Sequence, residues 1–269
     1  MPSSSEVFAR TIRALQPYTH DIVFIGGWVH ALYLAEANSR DLPVRTEDID
    51  ITIPNQLLTR DRPALLELVA AAGYEIQEVG EGSGMIEIFQ PGPGPSLIEL
   101  DLLTEAPDPK REILIAGQPG LKVHGYPGQH VLLDNARWMD AGTDIHESLD
   151  PPVPIRVPLL SAYALGKGLS SETRTWLPKQ AKDLVYLLEI IRHPDLGHQV
   201  MEGMATMAAR YPEEYARWRR YLAGVADNAR VRAEVVEQLL LGFRAIGSAE
   251  EVERMFVARL RRLLGETPH

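Results

Sequence analysis

Apolar and polar residues follow two different spacings along the first part of the chain. Over Ser3 to Leu15, Val7, Ile12 and Leu15 fall on one side of a helical wheel, and serines are in place to cap its start. Asp21-Ile22-Val23-Phe24-Ile25 is a short apolar run closed by Gly26-Gly27, the pattern of a buried strand. From Trp28 to about Asn38, Val29, Ala31, Leu32, Leu34 and Ala35 favour helix, so this stretch predicts strand, double glycine, helix. Asn38 to Glu47 is polar and carries Pro43, which predicts a loop. Asp48-Ile49-Asp50-Ile51-Thr52-Ile53 then alternates strictly: three isoleucines face one way, Asp48, Asp50 and Thr52 the other.

The same reading predicts a helix over Asn55 to Ala72, stopped by Gly73, and a strand over Tyr74 to Val79. Met85 to Phe89 and Leu97 to Leu103 predict two strands joined by a proline- and glycine-rich loop, a hairpin. Ile113 to Ala116 and Leu121 to Val123 predict a second hairpin about Gln118-Pro119-Gly120. After Asp150-Pro151-Pro152-Val153-Pro154 strand patterns give way to helical ones. Six helices are expected, over Leu159–Leu169, Pro178–Ile191, Asp195–Tyr211, Glu213–Ala223, Val231–Leu241 and Ala249–Leu264. The expected architecture is α+β: a small mixed sheet flanked by helices over residues 1–150, then an all-helical domain over 151–269.

Composition narrows the chemistry. With no cysteine among 269 residues, disulfides, thiolate zinc sites and cysteine nucleophiles are excluded. The net charge of −10 argues against a surface that grips nucleic acid everywhere, while leaving room for a local basic patch. The start of the chain has neither a basic nor an apolar segment of the secretory kind, and no run approaches the roughly 20 apolar residues of a membrane span. A cytoplasmic protein with no membrane partner is the expectation.

Three features carry chemistry. Gly26-Gly27, between strand and helix, allows backbone amides and a helix N-terminus to approach a phosphate. Asp48 and Asp50, two apart on a strand, share a face. Glu99-Leu100-Asp101 puts two more acids on one face of a later strand. Gathered carboxylates repel unless a cation neutralises them, and oxygen-only donors suit magnesium or manganese. Singly, each feature has an ordinary explanation: a glycine pair is more often a plain turn, and an Asp-x-Asp more often a solvated edge.

In this order, Phe24-Ile25-Gly26-Gly27 followed by Arg45-Thr46-Glu47-Asp48-Ile49-Asp50-Ile51 resembles the signature of the polymerase-beta-like nucleotidyltransferase superfamily. Within it the chain is most similar to the AbiEii/MenT-like group, known mainly as toxins of toxin–antitoxin or phage-defence pairs. Val157-Pro158-Leu159 to Lys167 resembles that group's lysine-bearing helix, and Lys179-Gln180-Ala181-Lys182-Asp183-Leu184 its Arg/Lys-Asp-Leu element. The resemblance runs from about Asp21 to Ile191. The longer loop before Asp48 departs from the pattern, as does Trp28, whose bulk follows the glycines and could narrow the pocket.

The resemblance implies a nucleoside triphosphate substrate whose phosphates lie along Gly26 and Gly27. It implies two metal ions on Asp48, Asp50 and a third acid, Asp101 rather than Glu99, which also helps deprotonate the acceptor hydroxyl. Lys167 would neutralise phosphate charge, with Lys182 and Asp183 as further nucleotide contacts; the plain reading of that last pair is a solvent-exposed ion pair at a helix start. The acceptor could be the 3′ end of a transfer RNA, a protein hydroxyl or a small molecule, and a cognate antitoxin would be a partner. The rival expectation is a regulatory or partner module that keeps the fold and binds nucleotide without turnover.

Eight histidines are scattered and form no zinc pattern; His30 reads as a packing residue, and His146 beside Asp144 and Glu147 as a loop cluster. Arg210, Arg217, Arg219 and Arg220 surround Trp218, and Arg254, Arg259, Arg261 and Arg262 lie near the C-terminus. Either group could track phosphates, with Trp218 stacking a base. Interspersed glutamates favour a mixed-charge helical surface.

Overall fold

A computed structural model describes residues 3–37, 48–79, 85–91, 97–107, 109, 111–242 and 247–266. The loop expected over Asn38 to Glu47, with Arg45-Thr46-Glu47 of the motif, lies outside the described residues, as does most of the proline- and glycine-rich connection before Leu97. The chain divides into two units, Met1–Leu159 and Leu160–His269.

In chain order the first unit contains α1 (Ser4–Ala14), β1 (Val23–Ile25), α2 (Gly26–Glu36), β2 (Ile49–Thr52), α3 (Leu65–Ala71), β3 (Glu75–Val79) and β4 (Met85–Pro91). There follow β5 (Leu97–Glu105), β6 (Arg111–Leu114), β7 (Lys122–Tyr126), α4 (Gln129–Asp134), β8 (Ala136–Ala141) and β9 (Val153–Pro158). Ile49, Ile51 and Ile53 are completely buried, as the alternation predicts, and they fix which face of β2 turns inward. On that side Phe8 of α1 stands edge-on to Phe24 of β1, the register partner of Ile51.

The sheet runs β1-β2-β5-β4-β3, with β7 beside β5 and β6 beside β7. β1 is antiparallel to β2, and β2 is parallel to β5. The first half of β5 pairs with β4, through Leu97 to Glu99, and its last residues pair with β7, through Leu103 to Glu105. Among the described residues, Leu100, Asp101 and Leu102 are in register with neither β4 nor β7. β2 runs along the opposite edge of that same stretch.

The long helix predicted from Asn55 is confined to Leu65–Ala71. Pro63 lacks the amide that would continue a helix and steers Arg62 away from helical geometry. The segment before it is held instead by Gln118, whose side-chain amide donates to the Leu57 carbonyl (3.0 Å) and the Tyr18 hydroxyl (2.9 Å) while its oxygen accepts from the Leu65 amide (2.8 Å).

The prolines at 151–154 mark no linker. Residues 153–158 form β9, antiparallel to β8, with Pro154 opposite Asp140. Proline is tolerated there because a two-stranded ribbon leaves one edge of each strand without ladder bonds. The division between units therefore falls at Leu159/Leu160, later than the prolines indicate.

The second unit consists of α5 (Leu160–Thr173), α6 (Leu177–Arg192), α7 (Pro194–Arg210), α8 (Pro212–Asp227), α9 (Ala229–Gly242) and α10 (Ala249–Leu263). Prolines open α6, α7 and α8, where a missing amide costs nothing, and Ser248 with Glu251 forms a capping box on α10. Trp218 is fully buried, and its indole donates to the Ala164 carbonyl at 3.1 Å. It is thus a core residue and not the base-stacking surface that its arginine neighbours suggest. No helix among the described residues is long and apolar enough to cross a membrane.

A Cβ at Gly168 of α5 would lie 2.3 Å from Cδ1 of Trp218 and 2.5 Å from its Nε1. Gly168→Ala is expected to lower stability by about 1–3 kcal/mol through overpacking, despite alanine's higher helix propensity. Urea denaturation checks this; an unchanged or raised midpoint would contradict the packing described.

Candidate active site

Ile25 ends β1 in extended geometry, and the glycine pair opens α2 itself, two residues earlier than the spacing predicts. Gly26 has φ of +75°, a conformation costly for any residue with a Cβ. The surroundings are equally restrictive. A Cβ at Gly26 would lie 1.8 Å from Oδ2 of Asp50 and 2.7 Å from its Cγ. The Asp50 carboxylate therefore rests directly on the backbone at the start of α2, where the helix presents roughly half a unit of positive charge.

Strand register places the second acid. Asp50 is opposite Ile25 on β1 and opposite Asp101 on β5. Residues in register on parallel strands point to the same face at a strand spacing of about 4.8 Å. Asp50 and Asp101 are therefore neighbours, both half-buried. Asp48 stands one residue before β2 and Glu99 two residues before Asp101, each also half-buried. Among the described residues, no three or more histidine, aspartate or glutamate side chains stand close enough to hold a metal ion between them. What the structure brings together is the pair Asp50–Asp101 with Gly26.

Other residues around α2 and β2 belong to the core. Trp28 stacks on Phe8, with ring centroids 4.4 Å apart and planes 9° apart, so its bulk is taken up by packing. His30 is buried, as its packing reading holds. Thr52, two residues beyond Asp50, is completely buried, and among the described residues its hydroxyl has no hydrogen-bond partner. Further along β5, Glu105 accepts from the backbone amide of His130 (3.0 Å) and lies 2.8 Å from its Nδ1. No sequence signal marks that pair, because α4 is a six-residue helix started by the left-handed Gly128.

Lys167, Lys182 and Asp183 lie in the second unit. The Lys167 ammonium is 2.8 Å from Oδ1 of Asp183, and Arg174 approaches the other carboxylate oxygen at 3.5 Å. Ser170 donates to that same oxygen at 3.3 Å. Asp183 is only 5% exposed, so the solvated Lys182–Asp183 pair expected from sequence is replaced by a buried Lys167–Asp183 pair. Lys182 lies 5.9 Å from the centre of the Tyr186 ring. Burial alone would raise the Asp183 carboxyl, but the charges and hydrogen bonds of Lys167 and Arg174 outweigh it and hold the group below the ordinary carboxylate range.

The basic residues of the helical unit are mostly engaged within it. Arg217 pairs with Glu172, Arg232 with Glu253, and Arg219 donates to the Leu264 carbonyl. His146 caps a short turn by accepting from the Ser148 amide.

No known family model matches the chain, and no characterised protein matches it in sequence. Among solved structures it was compared with the CD-NTase CdnG of Bradyrhizobium diazoefficiens in complex with GTP, at 15% identity over 98% of this chain and 90% of that one. The TM-score is 0.22, so that superposition carries no argument about fold or activity.

Two outcomes test this geometry. Gly26→Ala combines a left-handed backbone with a collision against Asp50 and should cost about 1–3 kcal/mol, read from the shift of the denaturation midpoint; a neutral alanine would mean that Asp50 is not seated on the helix start. Asp183→Ala leaves Lys167 buried without its counter-charge and should cost about 3–5 kcal/mol at neutral pH. Because the folded Asp183 carboxyl is depressed, its contribution is present above the ordinary carboxylate range and is lost as pH falls through the folded value. The stability difference between parent and variant should therefore narrow on acidification, and a gap that widens would refute the assignment.

Proposed function

We propose that the chain is a metal-dependent nucleotidyltransferase that moves a nucleoside monophosphate from a nucleoside triphosphate to a hydroxyl acceptor. The observation that carries this reading is the contact of the Asp50 carboxylate with Gly26 at the start of α2, beside Asp101 in register on the parallel strand. A phosphate-facing helix start and two adjoining carboxylates are the parts that phosphoryl-type transfer requires.

The donors fit a hard divalent ion. Magnesium takes one or two carboxylates together with substrate phosphates and water, so Asp50 and Asp101 suffice as its protein anchor; Asp48 stands one residue before β2, outside that pair. Bound there, magnesium or manganese would supply positive charge to the triphosphate and favour the ionised acceptor oxygen. In the reaction the acceptor oxygen bonds to the α-phosphorus, the bond from that phosphorus to the β-phosphate bridge oxygen breaks, and pyrophosphate leaves. Asp101 takes the hydroxyl proton. Amides at Gly26 and Gly27, with the positive end of α2, orient the triphosphate. Lys167 is already neutralised by Asp183, so the phosphate charge is assigned to the helix start and the ion rather than to Lys167.

The finer placement rests on the motif order alone. A toxin of the AbiEii/MenT-like kind would take a transfer RNA 3′ end, a protein hydroxyl or a small molecule as acceptor and would have a cognate antitoxin. The competing reading is a nucleotide-binding regulatory module without turnover.

Purified protein incubated with magnesium, each labelled nucleoside triphosphate, total transfer RNA and cell extract should transfer label. Asp50→Asn and Asp101→Asn should each reduce that transfer about 100-fold or more. Nucleotide binding with no transfer under every metal and acceptor supplied would favour the regulatory module, and neither binding nor transfer would exclude both.

A further inference from the structure

The start of α6 and the last turns of α9 meet at one hydrogen bond. The side-chain amide of Gln238, late in α9, donates to the Pro178 carbonyl in the first turn of α6 at 2.8 Å. Trp176 caps that turn, its carbonyl accepting from the Gln180 amide, and Leu241 stands one turn beyond Gln238 on α9. Both are therefore within about one turn of the same bond. Trp176 is 60% exposed, Leu241 81% and Leu240 38%. Single apolar side chains at a surface are ordinary, but a tryptophan and two leucines at one junction of helices form a patch of the kind that a partner covers.

Two charges border the patch. Lys179 follows Pro178 and Glu237 precedes Gln238, and both are exposed. Other charged residues on these turns are engaged within the unit: Glu234 accepts from Gln238 (3.3 Å), Arg174 approaches Asp183 (3.5 Å), and Lys182 lies over the Tyr186 ring. The patch thus has an apolar centre with one positive and one negative side chain at its edge. An anionic strand or membrane would meet Glu237 as it reached Lys179, and a uniformly basic partner would meet Lys179. A second copy turned through a two-fold axis meets neither problem, because it sets its own Glu237 against Lys179 and its own Lys179 against Glu237.

We propose that the junction of α6 and α9 is the centre of a two-fold interface between two copies of this chain. Trp176 and Leu241 of each copy lose their exposure against those of the other, which gives the contact an aromatic anchor and an apolar centre, and the Lys179–Glu237 pair forms its rim twice. Three side chains supply on the order of 300 Å² of the roughly 800 Å² that a specific interface buries on each partner, so the dimer is a weak one that forms with concentration. The interface uses residues of the helical unit alone and is independent of nucleotide transfer.

Sedimentation velocity of the full chain over about 1 to 100 µM tests it. The weight-average mass should climb from the 29.9 kDa of one chain toward twice that value. Leu241→Gln, at an exposed position on which folding does not depend, should weaken association at least about tenfold. Lys179→Glu and Glu237→Lys should each weaken it, and an equal mixture of those two variants should associate more tightly than either alone, because each then offers a single sign to the other. Asp50→Asn should dimerise like the parent, which separates failure of this interface from failure of nucleotide transfer. A parent that keeps the mass of one chain throughout would overturn the proposal, whether or not added RNA or another protein then occupies the patch. So would a Leu241→Gln variant that associates like the parent, or a mixture no tighter than its components.

Discussion

Two carboxylates set side by side in a partly buried place repel each other, and the first unit is built around making that tolerable. The Asp50 carboxylate rests on a backbone that carries no Cβ, at the positive end of a helix, and it does so because Gly26 is the first residue of α2. The three buried isoleucines hold β2 in the register that turns Asp50 to that side, and β5 supplies Asp101 at the same level. A shift of one residue along either strand would carry one acid to the opposite face. The register of the sheet and the glycine at its edge are thus one constraint seen from two sides.

The helical unit treats charge in another way. Asp183 is enclosed by Lys167, Arg174 and Ser170, and its acidity follows from those partners rather than from solvent. This arrangement is self-contained and structural.

Much of this was legible in the sequence where the periodicity was strict. Asp48 to Ile53 alternates without interruption, so both the strand and the face bearing Asp50 could be assigned from spacing. The six helices of the second unit follow from apolar stripes opened by Pro178, Pro194, Pro212 and Ser248. Elements fixed by contacts distant in sequence were not legible. The Asn55 stretch has helical spacing, but Pro63 and the reach of Gln118 across 53 residues to Leu65 decide its path. β9 hides among prolines that a two-stranded ribbon tolerates. Lys182–Asp183 reads as a local pair, whereas the carboxylate finds its partner one helix away, a choice that no adjacent residue encodes.

The split pairing of β5 has a mechanical consequence. Among the described residues, Asp101 sits where the register of β5 with β4 has stopped at Glu99 and that with β7 has not begun, and its register partner is Asp50 of β2. Asp50 lies between β1 and β5 and is pressed against Gly26 as well. Asp101 therefore takes its level from β2, so a change that slides β2 along the sheet would displace both acids together instead of parting them.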